Sequence, residues 1–345
     1  MLVKKNTTFR GIMAFTGHHL VWLTLWALIV VCLYEFSFMR GFTIPWLPLS
    51  VIGTAVAFYV GFKNNQSYDR LWEARKIWGS IINSSRSWGL MIRSLIVSES
   101  DEQPQNEEEL KAIHKKLINR HIAWLYALRS QLLLSTEWEH VNLRGSFGRF
   151  ARRSRKTIGV GLFNDEASED NLKRYLQEDE YEKLINFKNT ATQIIDKQAQ
   201  DIAALRKKGC VSDLDHVELQ EVLREFYNFQ GMAERIKKFP LPRQYANMSF
   251  IFVCLFVFML PFGVVTEFAK LGDWGSWFSI PFIVIIGWVY VVMELVGDYS
   301  ENPFEGLYND IPMLSICRVI EIDLLEMIGE TDLPDAIEAK NGVLM

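Results

Sequence analysis

Hydrophobic positions follow two patterns along the 345 residues. In four stretches they run together: 20–38 (LVWLTLWALIVVCLYEFSF), 44–62 (IPWLPLSVIGTAVAFYVGF), 248–266 (MSFIFVCLFVFMLPFGVVT) and 275–293 (GSWFSIPFIVIIGWVYVVM). The first carries one acid, Glu35, and the fourth is clean until Glu294. A helix needs about 20 apolar residues to cross the hydrocarbon core, so each stretch is close to a spanning length. Elsewhere the apolar residues recur at helical spacing. Leu117, His121, Trp124, Leu128 and Leu132 form one stripe, and Leu184, Phe187, Ile194, Ile195, Ile202 and Leu205 a second. Val217, Leu219, Val222, Leu223, Phe226, Phe229 and Met232 form a third. A turn at Asn309–Pro312 leads to a helix with Leu314, Cys317, Ile320, Leu324 and Ile328 inward. Such stripes predict amphipathic helices packed on one another. Residues 98–110 and 143–171 read as loops, the second strongly basic in its first half, and 331–345 as a tail.

The predicted fold is therefore an all-α membrane protein, with four transmembrane helices and a large cytoplasmic helical region. Residues 1–62 hold a cytoplasmic N-terminus and the first two spans, and 63–245 the cytoplasmic helices. Residues 246–297 hold the last two spans, and 298–345 a cytoplasmic C-terminal helix and tail. Orientation follows from Lys and Arg. Lys4, Lys5 and Arg10 precede the first span; Lys63, Arg70, Arg75 and Lys76 follow the second; Arg235, Lys237, Lys238 and Arg243 precede the third. The connections 39–43 and 267–274 carry only Arg40 and Lys270. Positive charge marks the cytoplasmic side, placing both termini there. The first apolar run is too long for a secretory signal and lacks a cleavage site, so it reads as a retained span. Trp22, Trp26, Trp46, Trp274 and Trp277 are expected at or near span ends, in the headgroup layer.

Composition narrows the function classes. With 49% hydrophobic residues beside 23% charged ones, the chain divides between membrane and water. A net charge of −4 argues against a nucleic-acid binder. No Gly-rich phosphate loop, metal-ligand spacing or nucleophile elbow occurs, so neither an enzyme nor a cofactor is expected. Cys32, Cys210, Cys254 and Cys317 are far apart and read as buried thiols. Glu321, Asp323 and Glu326 read as solvated helix charges, and Glu35 and Glu294 as interfacial or interhelical hydrogen-bonding groups.

The stretch 61–79, GFKNNQSYDRLWEARKIWG, leaves the second span through a polar and aromatic belt with no helix breaker. Continuing as one helix keeps its backbone paired. Tyr68, Trp72, Arg75 and Gly79 then repeat at helical spacing, and Asp69 and Glu73 alternate with Arg70, Arg75 and Lys76, several at pairing distance. Spacing alone leaves a solvated juxtamembrane helix and a belt of contacts between copies equally open.

This stretch closely resembles the signature of the bestrophin family, in particular its bacterial branch. GMAERIKKFPLPRQYA (231–246) and ENPFEGLYNDIPMLSICRVIEIDLLEM (301–327) resemble that branch too, in the same order around all four spans. The resemblance implies a homopentamer around one central ion-conducting pore in the bacterial inner membrane. It implies a neck lined by Thr54, Phe58 and Phe62, which share a helix face at i, i+4 and i+8. Stacked apolar rings of this kind gate by dewetting. Thr54 departs from the usual apolar residue, and its hydroxyl is expected to ease wetting of the outermost ring. The implied subunit-contact belt comprises Asn64, Asn65, Tyr68, Arg70, Trp72, Glu73, Arg75 and Trp78. Animal members bind calcium through consecutive acids after the last span. Here Glu301, Glu305 and Asp310 are spread apart, against the converging oxygens calcium needs, and Asn302, Pro303 and Phe304 are expected to form a structural turn. The expected partners are further copies of the chain, monovalent ions and lipid. The expected cargo is a monovalent cation such as sodium; a chloride channel of the same architecture is the alternative. A secondary transporter would show internal repeats, and the two hairpins show none.

Overall fold

The computed structural model describes residues 1–4, 9–36, 44–97, 107–163 and 167–345. Among these the chain is all-helical apart from isolated bridges at Leu2, Lys340 and Val343, and it divides into two compact units. The expected loop at 98–110 lies largely outside the described residues, with α3 starting at Glu107.

One unit comprises 4–71 and 240–302. It contains α1 (Phe9–Phe36), the first part of α2 (Trp46–Leu95), α9 (Arg243–Ala269) and α10 (Gly275–Asp298). These four helices are each long and apolar enough to cross a membrane. Their core is built on a hydrophobic cluster in which Leu23, Val31, Leu49, Val60, Phe256 and Leu260 pack together. Their outer faces are apolar too, as at Leu25, Leu47, Phe250, Leu255, Phe282 and Ile285. Helices apolar on all sides fit a lipid solvent. Within this unit Ser276 Oγ donates to the Glu35 carboxylate and Ser249 Oγ to that of Glu294, the interhelical bonding expected of both acids.

Two expectations change here. Helix α1 starts at Phe9 rather than near residue 20, because Gly11, Gly17, His18 and His19 lower hydropathy without breaking the helix. Trp22 and Trp26 consequently sit mid-helix; Trp26 stacks on Phe258, with centroids 4.9 Å apart, and donates Nε1 to that residue's carbonyl. Cys254 lies on the exposed face of α9, not in the core.

The second unit comprises 1–3, 72–239 and 303–345. Around α3 (Glu107–Leu133), enclosed from Leu117 to Arg129, it gathers α5 (Ala167–Tyr175), α7 (Thr190–Lys207), α8 (Asp213–Lys238) and α11 (Met313–Met327). The stripes of α3, α8 and α11 are buried apart from their fringes, such as Val217. The second stripe is broken: α6 (Glu178–Ile185) ends before Asn189 caps α7, leaving Phe187 exposed. Residues 143–171 are not a loop. They hold α4 (Gly145–Ile158), a 3-10 turn at Val160–Phe163 and the start of α5. Its glycines and arginines mask a helix that buries Ala151 and Ser154. Nor is the C-terminal stretch a free tail: Val343 and Met345 are buried, and Met345 accepts from the Ser315 N–H at 2.7 Å.

This unit's interior is rich in satisfied polar groups. Arg120 forks onto Glu180 and reaches Asp201 at 2.9 Å. Burial alone would raise the Asp201 carboxyl, but Lys116 and Arg120 hold it at about 2. Glu321 is fully buried, accepting from Tyr126, Tyr175 and Arg318, which corrects its reading as a solvated charge. Asp323 pairs with Arg86, and Glu326 remains exposed.

Candidate functional site

Helix α2 runs unbroken from Trp46 to Leu95, so the apolar stretch passes into the polar belt without a turn. Its two faces differ sharply. Thr54, Phe58 and Phe62 lie on one exposed face; the two rings are 66% and 69% exposed. The Thr54 hydroxyl donates to the Ser50 carbonyl at 2.9 Å, so it turns back onto its own helix.

The opposite face is buried: Val56 and Val60 pack in the hydrophobic cluster with α9 and α10, Lys63 meets Glu294, and Ser67 is enclosed. At Gly53, just before Thr54, the backbone carbonyl accepts from Tyr290 Oη at 2.9 Å. A Cβ there would meet Phe256 Cε2 at 2.7 Å, so glycine is needed for close packing. At Lys63, just after Phe62, Nζ lies 2.5 Å from Glu294 Oε1 and 3.8 Å from Asp298 Oδ1. Asn64 Nδ2 donates to the Met293 carbonyl at 3.0 Å, and its side chain fills the space above Gly297. The exposed stripe is thus anchored by its immediate neighbours at both ends.

The expected belt divides. Asn65, Tyr68 and Trp72 are exposed, and Arg75 is half-buried. Glu73 pairs with Lys76 at 2.6 Å. Asn64 is occupied by α10, and Arg70 donates Nε to the Glu301 carbonyl at 2.9 Å. Trp78 is enclosed by its own chain at 0% exposure and has no surface left for another copy. Of the alternating charges, Glu73–Lys76 forms an ion pair, while Asp69 is exposed and has no ion pair among the described residues.

The acids after α10 do not converge. Glu301 pairs with Arg243 at 3.3 Å. Glu305 accepts from the Val141 N–H and lies 2.9 Å from His140 Nδ1. Asp310 accepts from the N–H groups of Phe304, Gly306 and Ile311, closing a turn in which Phe304 takes φ 69°. Burial raises the Asp310 carboxyl, against those N–H groups and Lys237. Lys237 itself bridges Glu139 at 2.5 Å and the Phe304 carbonyl at 3.0 Å. Each acid already has its own donors, and this segment is a turn.

The family model for bacterial/fungal bestrophin proteins matches residues 10–326, nearly the whole chain. The chain belongs to the bestrophin family. Among curated relatives, the voltage-dependent anion channel-forming protein YneE of Salmonella typhi is 27% identical over 311 residues, covering 90% of this chain and 86% of that protein. The protein of that name from Escherichia coli O157:H7 is 27% identical, over 87% of this chain and 86% of its own length. A crystal structure of a bacterial bestrophin homolog from Klebsiella pneumoniae shares the fold with a TM-score of 0.73 at 22% identity, covering 91% of this chain and 98% of that one. The two curated relatives are named for channel formation, and none of the three as an enzyme.

Sequence reasoning missed the anchors. Lys63 and Glu294 are 231 residues apart, and no local spacing links them. Asp69 was read only as one of the belt's alternating charges, although it follows Phe62 by seven residues and so shares a helix face with Phe58 and Phe62.

Proposed function

We propose that the chain is an ion channel of the inner membrane, conducting monovalent ions along a pore that several copies, five by family resemblance, enclose with their α2 helices. Thr54, Phe58 and Phe62 form the neck. The observation that carries this reading is the uncharged, exposed stripe on α2, backed by a buried face on the same helix. An exposed stripe carrying two aromatic rings on a helix held this firmly suits a constriction that excludes water until it is wetted. Asn65, Tyr68, Trp72, Glu73 and Arg75 are the residues proposed to touch neighbouring copies. Residues 63–245 and 298–345 are assigned to the cytoplasm, as are both termini, from the distribution of Lys and Arg.

Cations such as sodium are the preferred cargo. Anion conduction is the second reading, and the relatives named as anion channel-forming proteins favour it. The neck carries no charge and does not choose between them. The test is purified protein in planar bilayers: Phe58→Ala and Phe62→Ala widen the neck, and both should raise single-channel conductance while the particle keeps its mass by light scattering. A monomeric particle, or currents identical to wild type in both variants, would rule the neck out.

A further inference from the structure

We propose that Asp69 sets the ion preference of the pathway, selecting cations by placing a fixed negative charge just beyond the neck. The inference rests on the assignment of Thr54, Phe58 and Phe62 to that neck. Because α2 is unbroken, the same stripe continues through Asn65 to Asp69 at three- and four-residue steps, and both are exposed. At 1.5 Å per residue, Asp69 lies about 10 Å further along the helix than Phe62.

It is the first charge on this face. From Trp46 to Phe62 the helix has no ionisable Asp, Glu, Lys or Arg. Lys63 points the other way, 4% exposed and paired with Glu294. Arg70 is engaged by the Glu301 backbone. Beyond Asp69 the next pair, Glu73 and Lys76, neutralises itself. Asp69 has no ion pair or hydrogen-bonded side-chain partner among the described residues. Each copy therefore contributes one uncompensated carboxylate at one height of the pathway. Beside low-dielectric walls, a ring of like charges concentrates counter-ions and depletes ions of its own sign. A neck of bare rings exerts no such preference, so the sign is decided at Asp69. Salt weakens the effect, since the screening length shrinks from about 10 Å at 0.1 M to about 3 Å at 1 M.

The experiment is the reversal potential of the purified full-length channel in planar bilayers under a sodium chloride gradient, for wild type, Asp69→Asn, Asp69→Lys and Asp69→Glu. Wild type should reverse on the sodium side. Asp69→Asn should cut the sodium-to-chloride permeability ratio on the order of fivefold, Asp69→Lys should invert it and Asp69→Glu should keep it. The wild-type ratio should fall as total salt rises. A wild type that reverses at the chloride potential overturns the proposal, and so does an unchanged ratio in Asp69→Asn. If Asp69→Asn breaks the assembly by light scattering, Asp69 is a subunit contact and the proposal also fails. Phe62→Ala in the same bilayers separates the two readings: an unchanged conductance there removes the neck, whereas a changed conductance with a fixed ion preference in Asp69→Asn removes only the role of Asp69.

Discussion

On one side of α2, between Gly53 and Ser67, every position is held: a glycine beneath a phenyl ring, a buried lysine on a carboxylate, an asparagine on a backbone carbonyl. On the other side the same turns leave Thr54, Phe58 and Phe62 exposed. Two faces of one helix have opposite chemistry. The difference separates what positions the stripe from what the stripe does. A helix free to roll would not present a defined ring of aromatics, and the polar anchors on the back face remove that freedom. They sit next to the stripe in sequence, at 53 and 63, and point away from it.

Removing one anchor should have the largest effect. Lys63→Ala leaves the Glu294 carboxylate buried without its cation, and Glu294→Ala strands Lys63; either should lower stability by about 3–5 kcal/mol. Lys63→Met combined with Glu294→Leu removes both charges together, and such exchanges are often neutral or stabilising. Thermal unfolding in detergent, followed by tryptophan fluorescence, should therefore rank the double variant well above either single one. Equal losses in all three would mean that packing, not charge, holds this face.

The comparison also marks what the chain discloses locally. The four apolar helices were legible because hydropathy is summed over neighbours, and α2 was legible past Phe62 because no glycine or proline intervenes within the belt until Gly79. The bare stripe was named through the family resemblance, with which a spacing of four is compatible. The anchoring face was not, since Lys63 reads as a juxtamembrane base until Glu294 is brought to it, and Trp78 reads as an exposed belt residue until its burial is seen. Helix α4 was lost because two glycines within it, two more just after it and a run of arginines outweigh its short apolar side. Burial of a charge is decided by partners distant in sequence, and local pattern is silent about it.

In the other unit, Ser85 Oγ lies 2.9 Å from His121 Nε2. Burial holds His121 at about 3, so the folded chain keeps it neutral. The unfolded chain, with an ordinary value near 6.5, takes up a proton first. Its contribution is therefore complete above pH 6.5 and is lost on acidification, by about 1.4 kcal/mol per pH unit. By pH 4.5 the loss is about 2–3 kcal/mol. His121→Gln should flatten the dependence of melting temperature on pH between 6.5 and 4.5; an unaltered slope would assign the acid sensitivity to other groups.

Gly53→Ala tests the upper anchor at a smaller scale. Alanine gains up to about 1 kcal/mol of helix propensity. Its Cβ, however, meets Phe256 at 2.7 Å and 2.9 Å, and that ring is itself packed on Tyr290 with centroids 4.4 Å apart. Overpacking of this kind costs about 1–3 kcal/mol, so with the full propensity gain the net loss is up to about 2 kcal/mol. Because Thr54 is the next residue, single-channel conductance should shift along with stability.

The bare face should yield the smallest stability change and the clearest functional one. Phe58 is 66% exposed within its chain, so Phe58→Ala removes little buried area. A surface substitution away from caps and cores lies within about 0.5 kcal/mol. Melting of the detergent-dispersed single chain should therefore be nearly that of wild type, while bilayer conductance rises. If instead Phe58→Ala destabilises the chain as much as Gly53→Ala, the ring is a packing residue and the division between the two faces of α2 fails where it was sharpest.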